Sequence, residues 1–199
     1  MRIRALAMSL CLIVSGTAGC AVETPRHVSP SSAIRLDQPR LVQPDPSEFG
    51  AALPTTRTGT PYTFADIVVC LNRPGKVTVE SAVVVGPSGG LRLDALATRP
   101  SVNGRSQVGG ANLSLAKLGF SPGGATVIDR VCPAAPRGAG AVGNYYELGL
   151  QFSKTDDVTA TGHGVDVHYH TEAGAEMTLR IPFILVLCKG RDPAVPDCG

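Results

Sequence analysis

The chain has 199 residues, 43% of them hydrophobic and 17% charged, with 23 Gly, 16 Pro and 6 Cys; that allows one domain or two small ones and excludes a disordered polyelectrolyte. Its formal charge of +2 vanishes if a leader carrying Arg2 and Arg4 is removed, because the 18 basic residues then fall level with the 16 acidic ones. With no Trp, 4 Tyr and 5 Phe, the chain has neither the positive footprint nor the stacking surface of a nucleic-acid binder, so no nucleic-acid partner is expected.

Met1-Arg2-Ile3-Arg4 is a short basic start, and residues 5–14 form an apolar run that ends in Ser15, Gly16, Thr17, Ala18, Gly19 and Cys20. As a helix the run is about 15 Å long, half of the ~30 Å hydrocarbon core of a bilayer. A basic start, an apolar middle and a small-residue end read as a secretory signal. Its last four residues, Thr17-Ala18-Gly19-Cys20, resemble a bacterial lipobox, the site of the lipoprotein signal peptidase. The resemblance covers about twenty residues and has Thr17 where Leu is usual. It implies cleavage after residue 19, a diacylglyceryl group on the Cys20 thiol and acylation, commonly with palmitate, of the new amino end. Two or more chains give a lasting anchor. The competing reading is ordinary secretion with cleavage near Ala18 or Gly19 and Cys20 left as a free thiol.

Residues 20–61 hold Pro25, Pro30, Pro39, Pro44, Pro46, Pro54 and Pro61 among Ser, Thr and isolated charges. Proline fixes φ and removes backbone donors, so this stretch is expected to be a disordered tether between the lipid and a folded domain at 62–199.

From residue 62 the chain changes to short Val-, Leu-, Ile- and Thr-rich runs separated by Gly and Pro. Strands are expected at 62–71, 76–85, 90–97, 126–131, 145–153, 158–170 and 176–187. Asn72-Arg73-Pro74-Gly75 and Gly86-Pro87-Ser88-Gly89-Gly90 read as turns. The apolar run at the end of the last strand, broken by Pro182, predicts burial on both faces and a bulge near that proline. Residues 112–120 fit a short helix or an alternating strand. About seven short strands predict an all-β fold, an antiparallel two-sheet sandwich that is immunoglobulin-like in general architecture.

Cys11 leaves with the signal, and with Cys20 lipidated, Cys70, Cys132, Cys188 and Cys198 remain. An even number outside the cytoplasm predicts two disulfides. Three pairings are possible; the short separation of Cys188 and Cys198 favours that pair, and Cys70 with Cys132 follows by elimination. No C-x-x-C pair occurs, so a redox motif or thiolate zinc ribbon is not expected.

Four further patterns bear on function. On a strand, Asp166, His168 and His170 share one face while Val165, Val167 and Tyr169 share the other. His-x-His with a carboxylate, or with nearby His163, is a chelating arrangement for zinc or copper; the rival reading is a solvated polar face. His-x-His also occurs in copper–zinc superoxide dismutases, which need more His than the 4 present, and that family is rejected. Ser88 and Ser121 each sit in a G-x-S-x-G string. Pro122 denies the second an oxyanion donor, and a strand rather than a helix is expected after the first. Gly138-Ala139-Gly140-Ala141-Val142-Gly143 spells G-x-G-x-x-G but follows a Pro-containing loop and leads to a strand, so no phosphate-binding helix end is offered. Finally, Tyr145 and Tyr146 are adjacent on a strand, so one ring is expected in the core and the other exposed, where it suits a protein or ligand contact.

Together these features predict no enzyme, but a lipoprotein on the outer face of a bacterial membrane. It would present a β-sandwich binding or scaffold domain to an unknown partner or ligand in the cell envelope. The alternative is an extracytoplasmic zinc- or copper-binding protein using the His-x-His strand.

Overall fold

A computed structural model describes residues 37–44, 50–101, 110, 113–133, 144–191 and 195–199. The chain divides into two units, Met1–Ala33 and Ile34–Gly199, and every described residue belongs to the second. Cys20, where lipidation is expected, and the 138–143 glycine string lie outside the described residues.

Eleven strands follow in chain order: β1 (Leu41–Val42), β2 (Gly50–Leu53), β3 (Tyr62–Leu71), β4 (Val77–Val84), β5 (Leu91–Pro100), β6 (Thr126–Ile128), β7 (Tyr146–Lys154), β8 (Ala160–Gly162), β9 (Val165–Thr171), β10 (Glu176–Ile181) and β11 (Ile184–Leu187). One sheet has the order β1-β3-β7-β5 and the other β10-β9-β4-β6, all antiparallel. A third piece, β2-β11-β8, extends the β9–β10 hairpin, because β8 leads into β9 and β10 into β11. Here β2 runs parallel to β11. The all-β, antiparallel, two-disulfide sandwich read from the sequence is therefore the fold.

The core lies between the two sheets. Ile67, Val69 and Leu71 of β3 and Leu148, Leu150 and Phe152 of β7 meet Val77 and Val79 of β4, Val165, Val167 and Tyr169 of β9, and Ile181, Leu185 and Leu187 beyond. Full burial of one such side chain contributes about 1.5–3 kcal/mol. A one-residue slip of any strand would turn its whole apolar set outward, so these faces fix the register.

Both disulfides are closed: Cys70–Cys132 spans 62 residues and Cys188–Cys198 spans 10, the pairing read from spacing. The bulge near Pro182 is also present. Ile181 pairs with Val165 and Leu185 with Gly162, so Pro182, Phe183 and Ile184 stand against only His163 and Gly164. Gly164 has φ 117°, and a Cβ there would lie 2.3 Å from the Ile181 carbonyl oxygen. Only glycine fits that close approach.

Three expectations need correction. The folded domain does not begin at residue 62. Leu41 and Val42 pair with Leu71 and Cys70, β2 pairs with β11, and the buried Thr56 donates its hydroxyl to the Cys188 carbonyl at 2.7 Å. Pro39, Pro44 and Pro54 flank these strands without interrupting them, and edge strands tolerate proline at their ends. The expected 158–170 strand is two, β8 and β9, split by Gly164. Last, 115–118 is a 3₁₀ turn, capped by Ser114 and ended by Gly119 at φ 78°, which decides the ambiguous 112–120 stretch over its described part. Among the described residues, no helix is long and apolar enough to cross a membrane.

Candidate functional site

The outward face of β9 is where the sequence concentrates titratable side chains. Val165, Val167 and Tyr169 are buried in the core, and strand geometry turns Asp166, His168 and His170 to the opposite, half-exposed face. Neighbouring strands set their surroundings. On β10, Arg180 stands opposite Asp166, Thr178 opposite His168 and Glu176 opposite His170. On β4, the register shifts between Val79 and Ser81, which makes Glu80 the extra residue of a bulge. Bulges re-aim side chains, and Glu80 reaches across to β9.

Each candidate ligand already has a side-chain partner. The Arg180 guanidinium grips Asp166 with two hydrogen bonds, Nε to Oδ1 and Nη2 to Oδ2, the second at 2.9 Å. Those bonds hold the Asp166 carboxyl below the usual carboxylate range and push Arg180 further up. His168 Nδ1 lies 3.1 Å from Thr178 Oγ1, and His170 Nδ1 lies 3.0 Å from Glu80 Oε1. A depression of about 530 Å³ is lined by Glu80, His168, Tyr169, Glu176, Met177 and Thr178. His163, the other ligand considered, sits in the β8–β9 link, its backbone bonded to Val85. Among the described residues, no three His, Cys, Asp or Glu side chains converge as a metal set.

No protein-family model and no curated protein matches the chain. Among solved structures it is similar to a fimbrial subunit. That structure is "Crystal Structure of CfaE, the Adhesive Subunit of CFA/I Fimbria of Enterotoxigenic Escherichia coli", at 11% identity and a TM-score of 0.33 over 76% of this chain and 48% of that one. The chain thus spans about half the length of the protein it matches.

The two tyrosines do take opposite faces of the sheet, but neither is exposed: Tyr145 retains 6% of its accessible surface and Tyr146 9%. Tyr146 enters the core and donates its hydroxyl to Asp129 at 3.0 Å; burial, then that bond, pushes its hydroxyl up. Tyr145 turns outward and is roofed by the Cys70–Cys132 disulfide with Val42 and Val68. Alternation placed the ring correctly but did not show the lid over it, so the expected exposed contact ring is withdrawn. Ser88 bonds Thr161 Oγ1 at 2.7 Å in a turn that leads straight into β5, and Ser121 follows the 3₁₀ turn.

Sequence reasoning missed Glu80, Thr178 and Arg180. A signal for two of them existed: a hairpin turning about Gly174 sets Arg180 against Asp166 and Thr178 against His168. Glu80 had none, because a bulge is invisible in an alternating run.

Proposed function

We propose that the chain is a lipid-anchored extracytoplasmic protein that presents a non-enzymatic β-sandwich as a binding or scaffold domain. The single observation that carries this reading is the pair of closed disulfides behind a leader ending at Cys20. Disulfides of this kind persist in oxidising compartments, and the leader supplies both the export address and the anchor. The test is growth with labelled palmitate. Label is expected on the wild-type chain in the membrane fraction and absent from Cys20→Ser. Retention of the leader, or an unmodified Cys20 thiol in soluble wild-type protein, overturns the anchoring.

A zinc or copper site on β9 is the second reading, favoured by the Glu80–His170 contact, since a carboxylate on one imidazole nitrogen orients the other toward a metal. Asp166, committed to Arg180, is then a poor third ligand, and Glu176 beside His170 is the better candidate. Metal analysis of untagged protein decides: stoichiometric metal lost in His168→Ala/His170→Ala supports this reading, and metal-free wild-type protein ends it.

A further inference from the structure

Among the described residues, the sandwich is open along one side: β5 ends the first sheet with no strand on its outer edge, and β6 covers only residues 77–79 of β4. Among the described residues, the 93–98 edge of β5 and the 81–84 edge of β4 therefore both lack a neighbouring strand. Between them lies a cleft of about 310 Å³ lined by Ala82, Leu93, Leu96 and Thr98, with Glu80 and Asp94 among its other walls.

Two details separate this cleft from an ordinary edge. Natural sheets blunt an exposed edge with bulges and charges. The β5 edge carries both, but only at one end: Asp94 is the extra residue of a bulge, bridged to Arg92 at 2.7 Å. Residues 95–98, Ala-Leu-Ala-Thr, have no such guard. The second detail is Thr98. The residue is 8% exposed, it lines the cleft, and its Oγ1 has no hydrogen-bond partner. A buried hydroxyl left unpaired is unfavourable, and a ligand that supplies the partner relieves it.

We propose that this cleft takes up an extended segment of a partner protein by strand addition, a partner class that rests on the binding-domain reading above. The segment pairs its backbone with residues 95–98 and turns small apolar side chains, at alternate positions, toward Leu96 and Ala82. It offers a hydrogen-bonding group to Thr98. Glu80 and Asp94 line the cleft and no Lys or Arg does; Asp94 is already bridged to Arg92, so it is the exposed Glu80 carboxylate that favours a basic residue on the segment.

The probe is a short labelled peptide that alternates valine and threonine and carries lysine at both ends, titrated against the purified full chain with hydrogen exchange as a second readout. Expected are saturable binding, new protection of the 95–98 amides, and a loss of affinity of about tenfold or more when the peptide is N-methylated along one edge. Ala82→Phe, which fills the cleft, is expected to abolish binding. Glu80→Gln, a surface change that leaves the fold alone, is expected to weaken it about threefold. No saturable binding, equal binding of the N-methylated peptide, or binding without protection of 95–98 overturns the proposal. So does protection without peptide: if it falls on dilution the occupant is a second copy, and if it falls on removing residues 21–36 the occupant is the chain's own N-terminal segment. None of these results alters the palmitate outcome, so anchoring and strand addition fail separately.

Discussion

β7 and β9 read alike in the sequence and end up in different places. Each alternates apolar with polar residues: Tyr146, Leu148, Leu150 and Phe152 against Glu147, Gln151 and Ser153 in β7, and Val165, Val167 and Tyr169 against Asp166, His168 and His170 in β9. Yet the outward residues of β9 are half exposed, whereas three of the four in β7, Glu147, Gly149 and Ser153, are buried. The difference is a cover. The 3₁₀ turn at 115–118 and Phe120 lie over β5 and β7, packing Leu115 and Phe120 on Ala65 and Ala97. Polar residues beneath the cover are individually satisfied: Glu147 by Arg99 at 2.7 Å, Gln151 by the Leu115 N–H at 3.2 Å, Ser153 by Asp94 at 3.0 Å. Alternation reports which residues face away from the core. It does not report whether anything lies on top of them.

The sharpest way to break this contrast is to truncate one outward residue on each strand. Glu147 keeps 1% of its surface, and Arg99 bonds both it and the Leu118 carbonyl while lying 4.3 Å above the Phe120 ring. Glu147→Ala leaves the guanidinium without its carboxylate in a mostly buried site, a change that costs about 3–5 kcal/mol. His168→Ala on β9 is expected to stay within about 0.5 kcal/mol of wild type. Urea denaturation midpoints measure both. Equal costs would mean that the cover contributes nothing.

This contrast also marks how far the sequence could be read. Most of the strands, the turns, the Pro182 bulge and both disulfides follow from local signals: β-branched runs, Gly and Pro punctuation, cysteine spacing. The breaks that make two strands each of 158–170 and 176–187 were not read. Leu41 and Val42 do not, because a two-residue edge strand between prolines has no periodicity of its own and exists only by pairing with Cys70 and Leu71. Tyr145 failed for the reason Glu147 and Gln151 would have failed: its lid comes from residues distant in sequence. At the candidate site, the common face of Asp166, His168 and His170 was legible from alternation. The partners that occupy them depend on the β9–β10 and β4–β9 registers, and a bulge at Glu80 sets one of those.

A smaller effect sharpens the same point. Gly149 sits on the outward face of β7 directly under the cover, where a Cβ would lie 2.5 Å from Leu115 and 3.0 Å from Phe120. Gly149→Ala is expected to cost about 1–3 kcal/mol through overpacking and to loosen the 115–118 turn, seen as faster amide exchange there. Gly174, with nothing within 4 Å but a φ of 77°, is the control at which backbone strain alone acts. If the Gly149 variant shows no change at the turn, Leu115 and Phe120 are not held down on β7.

The smallest effect lies on the open strand and depends on pH. Asp166 is depressed chiefly by its hydrogen bonds to Arg180, and burial, the next-largest influence, opposes the shift. A carboxylate with a lower pKa folded than unfolded adds stability that is fully present above its unfolded value, about 3.9, and is lost as pH falls through the lower folded value. Wild type should therefore exceed Asp166→Asn in stability at neutral pH, and the two should converge below about pH 4. Because Arg180 is 56% exposed, added salt should shrink the neutral-pH difference as well. Denaturation midpoints at neutral and acid pH, in low and high salt, test both trends. A difference that persisted in acid would place Asp166's contribution in its packing against β10 rather than its charge, and the outward face of β9 would then behave like the covered face of β7.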